Sequence, residues 1–277
     1  MERIKLIAFD MDGTILNNHQ EVSEYTVRVL NEASRLGIKL VPITGRPLYH
    51  LLSPLHQVQG IAHAASSNGA VITDIIQKKK LQSYPIKIET VLEICDLAES
   101  LGLKPIVFAE GYIFRDEGTR ILLNRMNVEV NAFKEEMDAK IKRAGLRNSL
   151  LTGEYPIEKI AVVFESVEEK KEMVKHFERI NDIVISYALD INIEINAPEA
   201  TKGKGLERIA QIYGIPLENT MVIGDGVNDL SMIQKGGFSV VMGNALKELH
   251  GHGDYVTLSN EEDGAAKAIE KFVLQAM

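Results

Sequence analysis

Apolar residues run from Ile4 to Phe9, broken only by Lys5, and stop abruptly at Asp10. A run this short cannot span a membrane and reads as a strand buried on both faces, as in a parallel sheet with helices covering it. Ser23 is placed to cap a helix whose apolar positions Val27, Val29, Leu30, Ala33 and Leu36 recur at helical spacing, with Gly37 as its stop. Ile38 to Ile43 is a second apolar strand, so the opening unit is strand, helix, strand, which implies a right-handed parallel crossover. Pro47 suits the first turn of the next helix, through Leu51, Leu52 and Leu55, which Pro54 should kink or divide. A further strand end at Ser66-Ser67-Asn68-Gly69 leads through Ala70-Val71-Ile72 into Lys78-Lys79-Lys80, read as a solvated hairpin tip, and Tyr84-Pro85 closes the section.

The pattern changes from about Ile86 to Ile195. Amphipathic helical stretches at 89–101, 134–143 and 168–180 are interleaved with short alternating strands at 105–109, 112–114, 159–164, 184–187 and 191–195. This predicts a separate α+β module with an antiparallel sheet. The α/β pattern resumes after Asn196-Ala197-Pro198. Lys202-Gly203-Lys204-Gly205 opens a helix closed by Gly214, and Met221 to Ile223 is a strand running into Gly224-Asp225-Gly226-Val227-Asn228-Asp229. A helix with Met232 and Ile233, a strand over 238–242 and a closing helix over 261–274 complete the chain. The predicted fold is α/β: a doubly wound parallel-sheet core formed by residues 1–84 and 197–277, interrupted by the α+β module at 85–196.

Size and charge narrow this little further. At 277 residues the chain exceeds the usual single domain, in keeping with a core plus an insertion. The formal net charge of −8 argues against a broad nucleic-acid or anionic-membrane footprint. The apolar stretch at the N-terminus is interrupted too soon for a signal-peptide core, and no run approaches the roughly 20 apolar residues of a spanning helix, so a cytoplasmic protein is expected. The lone Cys95 falls in a helical apolar pattern and reads as a small buried group.

The chemistry collects at the strand ends. Asp10 and Asp12 stand two apart with Gly13 and Thr14 behind them, where α/β sheets bind ligands, beyond the carboxyl ends of their strands. Taken alone, Asp-Met-Asp-Gly is also an ordinary turn. In a doubly wound sheet, however, this end converges with Thr44 and Gly45, with Lys202, and with Asp225, Asn228 and Asp229. Ionised carboxylates within ~4 Å of one another cost about 4 kcal/mol per like pair at an effective dielectric near 20, so a divalent cation is expected. All-oxygen ligands without convergent His or Cys point to Mg2+, which takes only one or two carboxylates and leaves room for a phosphate oxygen. The Thr44 hydroxyl, the backbone N–H groups after Asp10, including that of Met11, and the Lys202 ammonium supply anion contacts. Asp10 can then attack phosphorus to form an aspartyl phosphate, with Asp12 as general acid and base.

In order along the chain stand Asp-x-Asp-Gly-Thr at 10–14, Thr-Gly-Arg at 44–46, Ser-Asn-Gly-Ala at 67–70, Lys-Gly at 202–203, Gly-Asp-x-x-Asn-Asp at 224–229 and Met-Gly-Asn-Ala at 242–245. The set resembles the haloacid-dehalogenase superfamily, and within it the Cof-type phosphatases, along essentially the whole chain. The resemblance implies a Rossmann-like core, with Asp10 as nucleophile, Asp12 as acid/base, and Thr44, Gly45, Lys202 and Asn228 binding phosphate. It also implies Mg2+ held by the Asp10 carboxylate, the Asp12 backbone carbonyl and Asp225, with Asp229 behind them. The module at 85–196 looks like the family's type IIB cap, which closes over substrate and selects it. An acid two residues after the nucleophile favours ester hydrolysis over the Thr of transport ATPases. Two departures, a hairpin after Asn68-Gly69 without its usual Gly and Gly253 where Ala is common, lie away from this chemistry.

The expected activity is Mg2+-dependent hydrolysis of a small phosphorylated metabolite, a sugar phosphate or a phosphorylated cofactor. The alternatives are a phosphomutase of sugar phosphates and a catalytically idle binding protein. Neither nucleic acid nor a membrane is an expected partner, and the protein is expected to be a monomer or small homo-oligomer. Arg46 either reaches substrate or pins its loop by a salt bridge. Lys204 either touches substrate or faces solvent. Asp225 to Asp229 fails the spacing of a calcium loop, and His250-Gly251-His252 lacks a third metal ligand nearby. Arg115, Asp116, Arg120 and Arg125 are candidates to face the pocket from the inserted module.

Overall fold

A computed structural model describes residues 4–117, 132–151, 155–187 and 189–275. The chain opens with β1 (Leu6–Phe9), α1 (Glu24–Arg35), β2 (Lys39–Pro42) and the short α2 (Leu48–Leu52). Strands β3 (His63–Ser66), β4 (Val71–Asp74) and β5 (Lys79–Ser83) follow. The inserted stretch supplies α3 (Ile88–Ser100), β6 (Ile106–Ala109), β7 (Tyr112–Arg115), α4 (Ala132–Ala144), α5 (Leu146–Leu150), β8 (Ile157–Val163), α6 (Val167–Phe177), β9 (Val184–Ser186) and β10 (Asn192–Asn196). The return is α7 (Lys202–Tyr213), β11 (Thr220–Gly224), α8 (Leu230–Ile233), β12 (Phe238–Val241), α9 (Lys247–His250), β13 (Tyr255–Val256) and α10 (Gly264–Ile269).

The core is α/β, with a five-stranded sheet in the order β13-β12-β11-β1-β2, every pair parallel. Its strands are buried on both faces. Ile7 and Phe9 join a cluster with Val29 and Leu30 of α1 and Ala266 and Ile269 of α10, while Leu6 and Ala8 pack with Leu206 and Ile209 of α7. Strand order reverses between β1 and β11, since the chain steps outward from β1 to β2 on one side and from β11 to β13 on the other. A crevice forms at such a reversal, beyond the carboxyl ends of the strands.

The inserted stretch builds its own antiparallel sheet, β7-β6-β8-β10-β9. Residues Val107, Ile160, Val162, Ile193 and Ile195 of this sheet pack with Val91 and Ile94 of α3, Met137 of α4 and Phe177 of α6 into a second core. Cys95 lies buried in that core, where burial pushes its thiol up to about 12, so it is no nucleophile.

Most expected elements form, for the expected reasons. The Ser23 hydroxyl caps α1 by accepting from the Thr26 N–H at 3.0 Å, and Gly214 closes α7 in the left-handed conformation. Pro54 divides its helix: α2 ends at Leu52 and a tighter 3₁₀ turn covers Ser53–Leu55. Two readings are corrected and one strand is added. The lysine run is only partly a hairpin tip, because Lys78 turns the chain at φ 52° while Lys79 and Lys80 begin the polar strand β5. β13, too short to show a period, adds an outer strand to the core sheet. The closing helix is interrupted: Ser259 and Glu262 cap a 3₁₀ turn, Asp263 takes φ 57°, and α10 starts only at Gly264. No helix among the described residues is long and apolar enough to cross a membrane.

Candidate active site

The end of β1 makes the pocket by running out of apolar residues at the strand-order reversal. Asp10 still donates its N–H to the carbonyl of Ile223 on β11, at 3.0 Å, and the chain then folds back on itself. The Met11 carbonyl accepts from the N–H groups of Thr14, Ile15 and Leu16 at 3.0–3.2 Å, while the Met11 side chain is wholly buried in the core. Anything Met11 offers a ligand therefore comes from its main chain. The turn needs Gly13: it sits at φ 72°, and a Cβ there would run into the Asp225 carboxylate. Thr14 then donates to Asp225 Oδ1 at 2.7 Å, tying the first loop to the loop after β11.

Asp10 is buried, 5% exposed, and its Oδ1 lies 2.9 Å from the ammonium of Lys202. Lys202 is the first residue of α7, behind the N-cap Thr201, and has no exposed surface. Its ammonium also bonds Asp229 Oδ1 at 2.6 Å. Asp229 Oδ2 in turn accepts from the backbone N–H groups of Asp225 and Gly226 at 3.0 and 2.9 Å, so this carboxylate is occupied in shaping its own loop. One oxygen each from Asp10, Asp225 and Asp229 all lie within 4.8 Å of one another.

Three carboxylates facing one ammonium leave a surplus of negative charge, and the titration of the group reflects it. Burial raises the Asp10 carboxyl against the pull of Lys202, with Asp229 and Asp12 pushing the same way as burial, to about 7. Asp225 stands well above the usual carboxylate range, first through burial and then through Asp229 and Asp10. Lys202 is held above its ordinary value, since the pull of Asp10 and Asp229 exceeds the opposing effect of burial. Asn228 Oδ1 is buried without a hydrogen-bond partner, and Asp10 Oδ1 meets only the Lys202 ammonium that Asp229 shares. An orphaned amide oxygen beside three clustered carboxylates that share one ammonium is the donor set of a hard, oxygen-binding cation, and these residues fit Mg2+ on those grounds.

Asp12 points elsewhere. Its carboxylate is clamped by the Arg46 guanidinium, Nε to Oδ2 at 2.6 Å and Nη2 to Oδ1 at 2.5 Å, while Nη1 donates to the His50 carbonyl at 3.1 Å. Burial pulls the Asp12 carboxyl upward, but the Arg46 bonds and charge outweigh it and hold it below its usual range. Of the two roles open to Arg46, pinning is the one seen here. Thr44 and Gly45 follow β2; the Thr44 N–H donates to Ala65 O at 3.0 Å and its carbonyl accepts from Asn68 N at 2.9 Å.

Other candidates fall outside this cluster. Lys204 bonds Glu199 Oε1 at 2.6 Å and the Pro198 carbonyl at 3.0 Å. Neither His250 nor His252 joins a group of metal-ligating side chains among the described residues. Arg115 and Asp116 line a cleft against α4 with Glu117 and Lys142, and Asp116 accepts from Leu146 N at 2.8 Å, while Arg120 and Arg125 lie outside the described residues.

Two charged side chains at the pocket escaped sequence reasoning. Lys159 and Glu194, on β8 and β10, form a buried ion pair against Gly45 and Asn68. Their signal was present in outline, since Glu194 is a charge set between two apolar strand residues, Ile193-Glu194-Ile195, and Lys159 stands with Glu158 at the head of the apolar run Ile160-Ala161-Val162-Val163.

Known proteins resemble this chain in sequence and in fold. Residues 7–269 match the family model of haloacid dehalogenase-like hydrolases. The phosphatase YwpJ of Bacillus subtilis (strain 168) is 30% identical over 95% of this chain and 98% of its own. The 5-amino-6-(5-phospho-D-ribitylamino)uracil phosphatase YcsE of the same organism is 28% identical, covering 98% of this chain and 96% of its own. Among solved structures, the HAD subclass IIB sugar phosphatase BT4131 superposes with a TM-score of 0.77 at 26% identity, over 97% of this chain and 98% of that one. Matched by that family model over nearly its whole length and sharing that fold from end to end, the chain belongs to the haloacid dehalogenase-like hydrolase family, as a Cof-type phosphatase with a type IIB cap.

Proposed function

We propose that this phosphatase hydrolyses monoesters of small phosphorylated metabolites, sugar phosphates or phosphorylated cofactors, through an aspartyl phosphate on Asp10. One observation carries the reading: a buried carboxylate at the tip of the central strand, ion-paired to a lysine with no exposed surface and crowded by two more carboxylates. Such a site repels anions until a cation is supplied, and it fits a phosphate once one is. Asp10, the Asp12 backbone carbonyl and Asp225 would hold Mg2+, leaving Asp229 to keep the loop in shape. Bound there, Mg2+ would offset the charge of the phosphate oxygens and hold the ester in line.

The residues of the chain divide the remaining work. Lys202, Thr44, Gly45, Asn228 and the main chain at Met11 bind phosphate oxygens. Asp10 attacks phosphorus; the new bond is Asp10 oxygen to phosphorus, and the bond to the leaving oxygen breaks. Asp12 delivers its proton to that oxygen, then takes one from the water that cleaves the acyl phosphate. Arg46 keeps Asp12 in place between turnovers, and an arriving phosphate dianion raises the affinity of Asp12 for the proton it must give. The module at 85–196 serves as the cap that selects the ester.

Phosphate release from p-nitrophenyl phosphate, a panel of sugar phosphates, flavin mononucleotide and pyridoxal phosphate, with Mg2+ or with EDTA, tests this. Turnover is expected with Mg2+ only, with free phosphate rather than an isomer as product, a loss of at least ~10⁴-fold in Asp10→Asn, and a rapid-quench adduct on Asp10. Metal-independent turnover, or an Asp10→Asn variant of undiminished rate, overturns the reading.

A further inference from the structure

The buried pair in the cap has no part in the chemistry above. Lys159 is 2% exposed and Glu194 7%. They are diagonal neighbours on one face of the cap sheet, where Lys159 also lies over the ring of Phe108, its cross-strand partner, at 4.2 Å. An ion pair this buried is a weak stabiliser, because apolar residues of similar volume usually serve the fold as well or better. Its outward bonds suggest another use. Lys159 Nζ donates to the Gly45 carbonyl at 2.7 Å, and Glu194 Oε2 accepts from Asn68 Nδ2 at 2.7 Å. A Cβ placed on Gly45 would lie 3.1 Å from Asn68 Oδ1 and 3.2 Å from Glu194 Oε2, so the cap carboxylate rests directly against the loop after β2.

The peptide between Gly45 and Arg46 is held at both ends. Its carbonyl takes the Lys159 proton, and its N–H donates to Thr44 Oγ1 at 3.3 Å. A hydroxyl that accepts on one side keeps its own proton for a ligand on another. The same peptide carries Arg46, whose guanidinium holds Asp12. Asn68, fixed by Glu194, also accepts from Asn228 Nδ2 at 3.4 Å.

We propose that Lys159, set in place by Glu194, is a positioning residue of the phosphate site. Its ammonium fixes the Gly45–Arg46 peptide so that the Thr44 hydroxyl is left to donate to phosphate and Arg46 stays on Asp12, which ties the competence of the core to the seating of the cap. The assignment rests on the phosphatase reading, and in it Lys159 touches neither the ester nor the reacting atoms.

Four full-length proteins decide it: wild type, K159M, K159R and K159M/E194M. For each, kcat and KM are measured with p-nitrophenyl phosphate and with glucose 6-phosphate in Mg2+, orthophosphate affinity by calorimetry, and the melting temperature. K159M is expected to lose about 100-fold in kcat/KM by the same factor on both esters, the scale of a slight misplacement, and to bind orthophosphate about tenfold more weakly. K159R recovers most of both, and K159M/E194M regains the melting temperature while staying slow. A double variant that regains turnover along with stability overturns the proposal, as does a loss confined to the sugar ester, which would put Lys159 on the leaving group. If wild type cleaves no ester, the phosphatase reading fails and calorimetry alone decides: weaker orthophosphate binding in K159M supports the positioning role, and equal or absent binding overturns it.

Discussion

The two sheets of this protein handle charge in opposite ways. In the parallel core, strands are apolar on both faces, and the ionised groups of the pocket stand past a strand end or at the start of α7, where loop N–H groups can bond them, as those of Asp225 and Gly226 bond Asp229. In the antiparallel cap, Lys159 and Glu194 lie within strands, on the face opposite the one that packs against α3, α4 and α6. The core thus assembles its chemistry from short contiguous loops that the sheet brings together. The cap presents its charges through register, with Ile160 opposite Ile195 and Phe108 opposite Lys159, so a one-residue slip would turn the pair away. Core substitutions should therefore abolish chemistry, whereas cap substitutions should degrade geometry.

Lys202→Met should break the contrast most severely. It strips from Asp10 and Asp229, both buried, the ammonium that pairs with them, and removing one partner of a buried ion pair costs about 3–5 kcal/mol. Turnover should vanish with it. Urea melts should show the deficit larger at pH 8 than at pH 5, because at pH 5 Asp10 can take up a proton instead of remaining an uncompensated anion; equal deficits at both pH values would mean that the two carboxylates do not depend on Lys202.

This difference between the sheets also explains what could be read without coordinates. Asp10, Asp12, Thr44, Asp225 and Asp229 announce themselves because each sits in a compact polar interruption after an apolar strand, Lys202 because it opens the helix at which the α/β pattern resumes, and α/β topology makes these segments meet. Lys159 and Glu194 could not be paired on paper, since nothing local states the register of β8 against β10. β5 was equally obscure: Lys79-Lys80-Leu81-Gln82-Ser83 has no apolar alternation, and it forms a strand because β4 offers it an edge. The break before α10 comes from Asp263 in a left-handed conformation that Asp tolerates but does not advertise.

A milder test sharpens the electrostatic account of the core. With its carboxyl raised from 3.8 to about 7, Asp10 binds a proton in the folded state that the unfolded chain has already released, so its contribution favours folding at low pH and is lost as pH rises through that interval. Metal-free protein should accordingly lose stability between pH 4 and pH 7 through this group. Mg2+ holds the ionised form and should flatten the slope, stabilising by about 2.7 kcal/mol at a hundredfold excess over its dissociation constant. Thermal melts at pH 5, 6, 7 and 8 with EDTA or Mg2+ measure this, and an Mg2+ effect that does not grow with pH would separate the cation from Asp10.

The smallest effect on stability, and the most telling about roles, is expected from Arg46→Met. The Asp12 side chain is 46% exposed, so the ion pair is partly screened and its loss should cost no more than about 1 kcal/mol. The sign is the reverse of that for Asp10. Asp12 is held below its ordinary value by Arg46, so the stability it confers is present above the unfolded carboxyl range and disappears as pH falls through the folded value. Wild type and variant should therefore converge in acid. In kinetics the consequence runs the other way: a general acid must carry its proton when the leaving oxygen departs, and freeing Asp12 from Arg46 raises its pKa. The limb of the kcat/KM profile that reports loss of that proton should shift to higher pH in Arg46→Met, even as kcat falls from the less certain placement of the carboxyl. A limb that stays in place between the two proteins would show that the proton it reports belongs to another group, and Asp12 would lose its assignment as the acid.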